Sequence, residues 1–240
     1  MSRGRLFAVV ATSLVVIILV GFLVARQLVF GGTPTIHRTA NQGSPVPCAS
    51  STSVPGEKTF AVDPQQSKAT YTAHFQAAGQ DLPGTVTGVT GDVTGALTVT
   101  AGANPEIRSL KVTIGLSTLD SGAPQRDDHV RNDTLQVSKY PVATFVAANA
   151  PILAGNYTDG QSVSFKLPGS LTMHGVTRSV TFDMQGALSA GTISGFGTTV
   201  IHIADYQMQP PQITSVVTVT IQKDIGLRID FVAHANQCGS

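Results

Sequence analysis

Tryptophan is absent from the 240 residues, cysteine occurs twice, and only 12% of the residues are charged, 15 Lys+Arg against 14 Asp+Glu. Ordinary soluble domains carry about 25% charge. A net charge of +1 lacks the basic surplus that nucleic-acid binding requires, so no nucleic-acid partner is expected. Two cysteines cannot form the CxxC…CxxC pattern of a structural zinc site. No Walker loop and no GxGxxG opening a helix is present, so nucleotide binding has no support. The 24 glycines and 13 prolines follow no fixed period, which excludes a collagen-like chain. Hydrophobic residues at 42% exclude a wholly disordered one.

What is present begins with Leu6 to Ala25, an unbroken run of uncharged, mostly apolar residues. At about 1.5 Å per residue it spans roughly 30 Å, the hydrocarbon thickness of a bilayer. Arg3 and Arg5 precede it and vote for a cytoplasmic N-terminus. The run exceeds the roughly 7–15 apolar residues of a signal peptide, and no A-x-A-like site follows it. The expected organisation is therefore a cytoplasmic tip (1–5), a single transmembrane anchor (6–25), a flexible linker (26–57) and an extracytoplasmic domain (58–238) at the cell membrane. A cleaved signal peptide is the alternative. Cys48 and Cys238 flank the domain, and in an exported chain that suggests one disulfide joining its ends; two free or intermolecular thiols are the other reading. Residues 31–57 are dominated by Gly, Pro, Ser and Thr without apolar periodicity, as a linker would be.

The domain reads as β. Leu110, Val112, Ile114 and Leu116 alternate with polar or small residues, as do Val180, Phe182 and Met184, and Ile225, Leu227, Ile229 and Phe231. Ile213, Val217, Val219 and Ile221 form another stripe. Period-two patterns with one apolar face are half-buried strands. Weaker runs lie at 59–63, 68–77, 84–90, 93–100, 142–149, 161–173 and 192–203. One helix is expected from Pro124 to Leu135, with Pro at an early position. At least eight strands in about 180 residues mean a barrel or a sandwich. Closure removes exposed edges and favours the barrel slightly. Many inward positions are small, so the interior is either packed or left with room for one elongated ligand.

Two segments carry a recognisable pattern. The first is Arg126-Asp127-Asp128-His129-Val130-Arg131, continuing through Tyr140-Pro141 and Ala143-Thr144-Phe145. The second is LTMHGVTRSVTFDM, from Leu171 to Met184. Together they resemble the YceI-like family of extracytoplasmic polyisoprenoid-binding proteins, from about Phe60 to Ala235. The resemblance implies a lipocalin-like, eight-stranded antiparallel barrel with one short helix. Its cavity would hold a polyisoprenoid lipid or isoprenoid quinone for storage, shielding or transport, with no cofactor and no metal. Thr134-Leu135-Gln136 stand where the family often has an aromatic pair, and Phe60 where it has Trp or Tyr.

Arg126, His129, Arg131 and His174 are the candidates to meet a polar headgroup, because guanidinium and imidazole suit a carbonyl or phosphate oxygen. A structural clasp made by the charged helix, and a turn role for His174-Gly175, are the competing assignments. Val112, Ile114, Phe145, Phe165, Leu167, Phe182, Phe196, Leu227, Ile229 and Phe231 are candidates to line the cavity or to pack a solid core. His74, His202 and His234 have no metal-ligand spacing. Two other functions compete with lipid binding. One is a stress-related structural or partner-binding barrel with a packed core. The other is acid–base chemistry at Asp127, Asp128 and His129, which no nucleophile motif supports. The sequence leaves oligomeric state open, a homodimer included.

Overall fold

The computed structural model describes residues 33–38, 56–77, 84–100, 104–210 and 219–235. The expected anchor, Cys48, Cys238, Ile213 and Val217 lie outside the described residues. Among the described residues no helix is long and apolar enough to cross a membrane.

Ten strand segments form one antiparallel sheet: β1 (Glu57–Val62), β2 (Lys68–Ala77), β3 (Gly84–Thr90), β4 (Val93–Thr100), β5 (Glu106–Gly115), β6 (Val142–Pro151), β7 (Val163–Met173), β8 (Val176–Ser189), β9 (Thr192–His202) and β10 (Val219–Ala235). They make eight barrel staves. β1 with β2 is one strand interrupted at 63–67, and β3 with β4 is its partner, interrupted at 91–92; β1 pairs β4 and β2 pairs β3. From there the order is sequential through β9 to β10. The long β10 closes the ring, pairing β9 on one edge and β2 then β1 on the other. The expected eight-stranded barrel is therefore the observed one.

The break at 63–67 is held by polar contacts. Asp63 accepts from the Gln65 N–H at 2.8 Å and from Gln66 Nε2 at 2.6 Å. The fully buried Ser67 hydroxyl accepts from the Val232 N–H at 3.1 Å, tying the break to β10.

One end of the barrel carries the β4–β5, β6–β7 and β8–β9 connections. The other carries the helix α1 (Pro124–His129), the two-residue β7–β8 hairpin and the β9–β10 connection. α1 begins with Pro at its first turn, where the missing N–H costs nothing. The expected helix to Leu135 is corrected in one respect: from Val130 to Thr134 it widens into a π turn, closed by the Leu135 N–H to the Val130 carbonyl at 2.9 Å. α1 covers the place where β3 outruns β5. On the edge away from β2, β3 there meets the Val89–Asp120 bridge.

Residues 33–38, inside the stretch expected to be flexible linker, are docked. The Gly91 N–H donates to the His37 carbonyl at 3.1 Å, His37 Nε2 lies 2.8 Å from Asp120 Oδ2, and Arg38 Nε donates to the Pro64 carbonyl at 2.9 Å. Burial raises the Asp120 pKa, but the Gly122 N–H, His37 and the Thr35 backbone outweigh it and hold the carboxyl below its ordinary value.

Phe60 is fully buried where β1 joins β4 and β10. Removing its ring leaves a cavity at the point of closure. Phe60→Ala is expected to lower the unfolding free energy by about 3–5 kcal/mol, read as the shift in urea midpoint at constant m-value.

Candidate functional site

The barrel does not fill its interior. A cavity of about 510 Å³ runs along it, walled almost wholly by aliphatic and aromatic side chains. Its size is within the roughly 300–1,000 Å³ of small-molecule sites. Part of the space survives because four large inward side chains lie flat on the wall, each over a glycine of the neighbouring strand. A Cβ built on Gly84 would sit 2.1 Å from the Phe75 ring, on Gly88 2.1 Å from the Tyr71 ring, and on Gly169 2.4 Å from the Phe145 ring. On Gly197 it would sit 2.5 Å from Met184 Sδ. Contacts under 3 Å are not tolerated by real Cβ atoms, so these positions exclude every other residue unless the ring leaves the wall.

Val112, Ile114, Phe145, Phe165, Leu167, Phe182, Leu227, Ile229 and Phe231 all border the cavity. Phe196 does not, and that expectation is corrected. Ile193, Gly197 and Ile201 set the inward parity of β9, so Phe196 points outward, where the Arg228 guanidinium stacks 4.0 Å from its ring. Sequence reasoning missed Tyr71 and Phe75 on β2, Leu116 and Leu119 after β5, and Met208 before β10, all of which border the cavity. The signal for β2 was present: Ala69, Tyr71, Ala73 and Phe75 alternate with Thr70, Thr72 and His74.

Of the four headgroup candidates, the structure brings one to the cavity. Arg126 borders it, with Nε donating to Ser121 Oγ at 2.9 Å and Nη2 to the Ser121 carbonyl at 2.9 Å. The other three are placed elsewhere. His129 is half exposed and pairs with Asp133 at 2.7 Å. Arg131 donates to the Leu119 carbonyl at 2.7 Å and to Asp128 at 2.7 Å. His174 and Gly175, with φ of +51° and +73°, form the β7–β8 turn, and His174 Nδ1–H donates to the Tyr206 carbonyl at 3.1 Å. The His174 ring lies 4.6 Å from that of Tyr140.

Asp127 is buried and accepts from the Ser121 hydroxyl and from the Ser121 N–H at 3.0 Å. Asp127, Asp128 and His129 thus serve three different partners and do not converge, which is not the arrangement an acid–base pair needs. The cluster acts mainly as a clasp between α1 and the 119–121 segment.

Tyr71 supplies a second polar group beside Arg126. Its hydroxyl is buried, close to Ser121, and has no hydrogen-bond partner. Burial first, then the negative charge of Asp127, push the phenol up to about 12, against an opposing contribution from Arg126. The cavity is therefore an apolar tube with two unsatisfied neutral hydroxyls, of Tyr71 and Thr134, and the Arg126 guanidinium on its wall near α1.

The remaining histidines have local partners. His74 meets Thr85 at 3.0 Å, His202 meets Asp224 at 2.8 Å, and His234 meets Asp63 at 3.4 Å. Among the described residues no three His, Cys, Asp or Glu side chains converge as metal ligands.

Residues 60–233 match the model of the YceI-like domain. A UPF0312 protein of Pseudomonas putida is 32% identical over 123 residues, covering 47% of this chain and 59% of that protein. Protein YceI of Escherichia coli is 34% identical over 83 residues, 34% of this chain and 39% of that one. The matches thus span little more than half, or less, of these relatives' length. Among solved structures, a polyisoprenoid binding domain from Saccharophagus degradans, implicated in plant cell wall breakdown, shares the fold with a TM-score of 0.57 at 15% identity. It covers 73% of this chain and 98% of that chain. BcnA of Burkholderia cenocepacia gives a TM-score of 0.50 at 21% identity, covering 71% and 98%.

The Tyr71 environment has a measurable sign. The folded pKa lies above the ordinary 10, so the fold favours the neutral phenol. That stabilisation is complete below pH 10 and is lost as pH rises from 10 through about 12. Absorbance at 295 nm is expected to show a late-titrating phenol near pH 12 that Tyr71→Phe removes; full ionisation of Tyr71 by pH 10.5 contradicts the assignment.

Proposed function

The chain belongs to the YceI-like domain family, and we propose from that premise that it is a binding protein whose barrel holds a polyisoprenoid lipid or isoprenoid quinone. The observation that carries this reading is the unfilled apolar cavity of about 510 Å³. A prenyl chain offers methyl and methylene surface without hydrogen-bonding groups, so its affinity comes from area. At about 25 cal/mol per Å², several hundred Å² supply on the order of 10 kcal/mol before ordering costs. Tyr71 and Arg126 are the groups to receive the polar end. Both are donors, which suits a quinone carbonyl or a phosphate oxygen. The polyisoprenoid-binding description of the structural neighbour from Saccharophagus degradans supports the same ligand class.

Residues 6–25 would tether the domain to the membrane, with Arg3 and Arg5 on the cytoplasmic side and the barrel on the extracytoplasmic side. A tethered barrel remains beside the lipid pool it draws from. Storage, shielding and transport all use that arrangement, and none needs a cofactor. Asp127, the buried carboxylate among the described residues, is engaged in the α1 clasp, which favours binding over acid–base chemistry.

Mass spectrometry of organic extracts of the purified full chain is expected to find a prenyl lipid or quinone near one per chain. Gly197→Leu places a side chain where Met184 lies. It drives the methionine into the cavity, at a stability cost of about 1–3 kcal/mol, and is expected to reduce occupancy several-fold. A wild-type chain that stays empty after incubation with membranes overturns the reading in favour of a ligand-free structural barrel. With a quinone as the probe, Tyr71→Phe is expected to weaken binding about tenfold, the loss of one hydrogen bond.

A further inference from the structure

The barrel wall is not uniformly laced. β6 and β7 pair only at Thr144–Thr172, Phe145–Leu171 and Val146–Ser170. Beyond those three positions, β6 continues to Pro151 and β7 reaches back to Val163 without pairing. On their other edges both strands stay laced, β6 to β5 as far as Pro151 and β7 to β8 along its whole length. The interruption is therefore confined to one seam.

Register explains where it starts. His174 and Gly175, both with positive φ, make a two-residue turn, so Met173 and Val176 form its hydrogen-bonded pair. Alternating from Met173, Thr172, Ser170 and residue 168 direct their backbone groups toward β6. The Leu116 N–H bonded to the Pro141 carbonyl at 3.0 Å fixes β6 the same way: odd residues face β5, while Thr144, Val146 and Ala148 face β7. The next rung would join Ala148 to residue 168. Residue 168 is proline, which has no N–H to donate. The ladder ends at Val146–Ser170: Pro168 removes one of the two bonds of the next rung, and Asn149, with φ of +52°, takes β6 out of extended geometry just beyond Ala148.

A cleft opens at this point. It is lined on the outer face by Val146, Ala148, Pro168, Ser170, Ser179 and Thr181 and touches Ala147, Gly169 and Val180, which belong to the inner face; on the inner side the Phe145 ring lies over Gly169. Val146 on the outer face is 46% exposed, as the outward Val142 and Val200 are at 43% and 67%. On the inner side, Phe145 from β6, Ile152 just after it, and Val163, Phe165 and Leu167 from β7 border the main cavity on both sides of the seam. The inner lining is apolar, while the outer mouth carries the hydroxyls of Ser170, Ser179 and Thr181. The connection above the seam, residues 152–162, is pinned at its far side by Tyr157, whose hydroxyl donates to the Leu188 carbonyl at 2.8 Å and accepts from the Leu188 N–H at 2.7 Å. The connection's near side is held as well, by the Ile152 N–H to the Pro105 carbonyl at 3.0 Å and the Asn104 N–H to the Gly155 carbonyl at 2.9 Å; neither set of bonds laces β6 to β7.

We infer that the β6–β7 seam is a lateral portal through which an apolar chain passes between the surroundings and the cavity, edgewise through the wall. The inference rests on the lipid-binding reading above. A prenyl chain threads such a slot readily because it has no polar atoms to desolvate, and parting the strands breaks no backbone hydrogen bond that is already absent.

Exchange kinetics on the full chain test it. The chain is loaded with N-phenyl-1-naphthylamine and chased with excess geranylgeraniol, and the fluorescence decay gives the release rate. Pro168→Thr restores the missing donor and is expected to slow release at least tenfold while the equilibrium affinity changes less than twofold. A second variant, Ala148→Cys with Pro168→Cys, is expected to exchange slowly when oxidised and at the wild-type rate after reduction, with wild type taken through the same treatments as control. Wild-type rates in Pro168→Thr and in the oxidised double variant overturn the portal while leaving lipid binding intact. So does slowing produced instead by Val130→Trp at the α1 end. No uptake of either probe by wild type overturns the portal and the binding function together.

Discussion

Four large inward side chains of this barrel, Tyr71, Phe75, Phe145 and Met184, are held off the axis, and glycine is what provides the place. Gly84, Gly88, Gly169 and Gly197 each receive a ring or a thioether from the adjacent strand. The interior keeps its hydrophobic surface but not its hydrophobic volume. A packed core would be more stable, since close packing adds dispersion contacts that an open tube forgoes. The structure accepts that loss at the same positions where ligand surface would later supply the missing contacts. Fold and function are coupled through this one constraint: whatever fills the tube also completes the core.

The charged helix sits at the margin of that arrangement. Where β3 outruns β5, the wall needs a cover, and α1 supplies it. Asp127 reaches back to Ser121, Arg126 holds the same residue from the other side, and Arg131 grips the Leu119 carbonyl. Three charged residues in a chain poor in charge are thus used to fasten a short helix that could not stand alone. Arg126 is the member that also borders the apolar space, beside the unpartnered Tyr71 hydroxyl.

The strands, the barrel and the helix start were legible because period-two alternation and Pro124 are local signals. Nine of the ten proposed lining residues fell on the right face for the same reason. Phe196 did not, because aromatic character was weighed without the parity that Ile193 and Ile201 impose. Tyr71 was overlooked among small neighbours although its strand alternates cleanly. The glycine–aromatic pairs were not legible at all, since they depend on the register between strands, which no single segment encodes. The same holds for Pro168, an ordinary strand proline until the hairpin at His174-Gly175 fixes which way its nitrogen faces. Nothing local marks His37 either; its partner Asp120 is 83 residues away.

The last strand of the chain has a bearing on how the protein is made. β10 is a neighbour of β9, β2 and β1 at once, so the first and second strands wait for nearly the entire domain before one of their edges is satisfied. Synthesis proceeds from the other end. Until residues near 235 emerge, the stretch already formed is an open, apolar-faced sheet rather than a vessel, slow to mature because its decisive contacts are the most distant in sequence. Such a sheet is also the species most exposed to aggregation. The cavity therefore exists only once the barrel is finished, and the making of each molecule includes an interval in which its apolar face needs shelter.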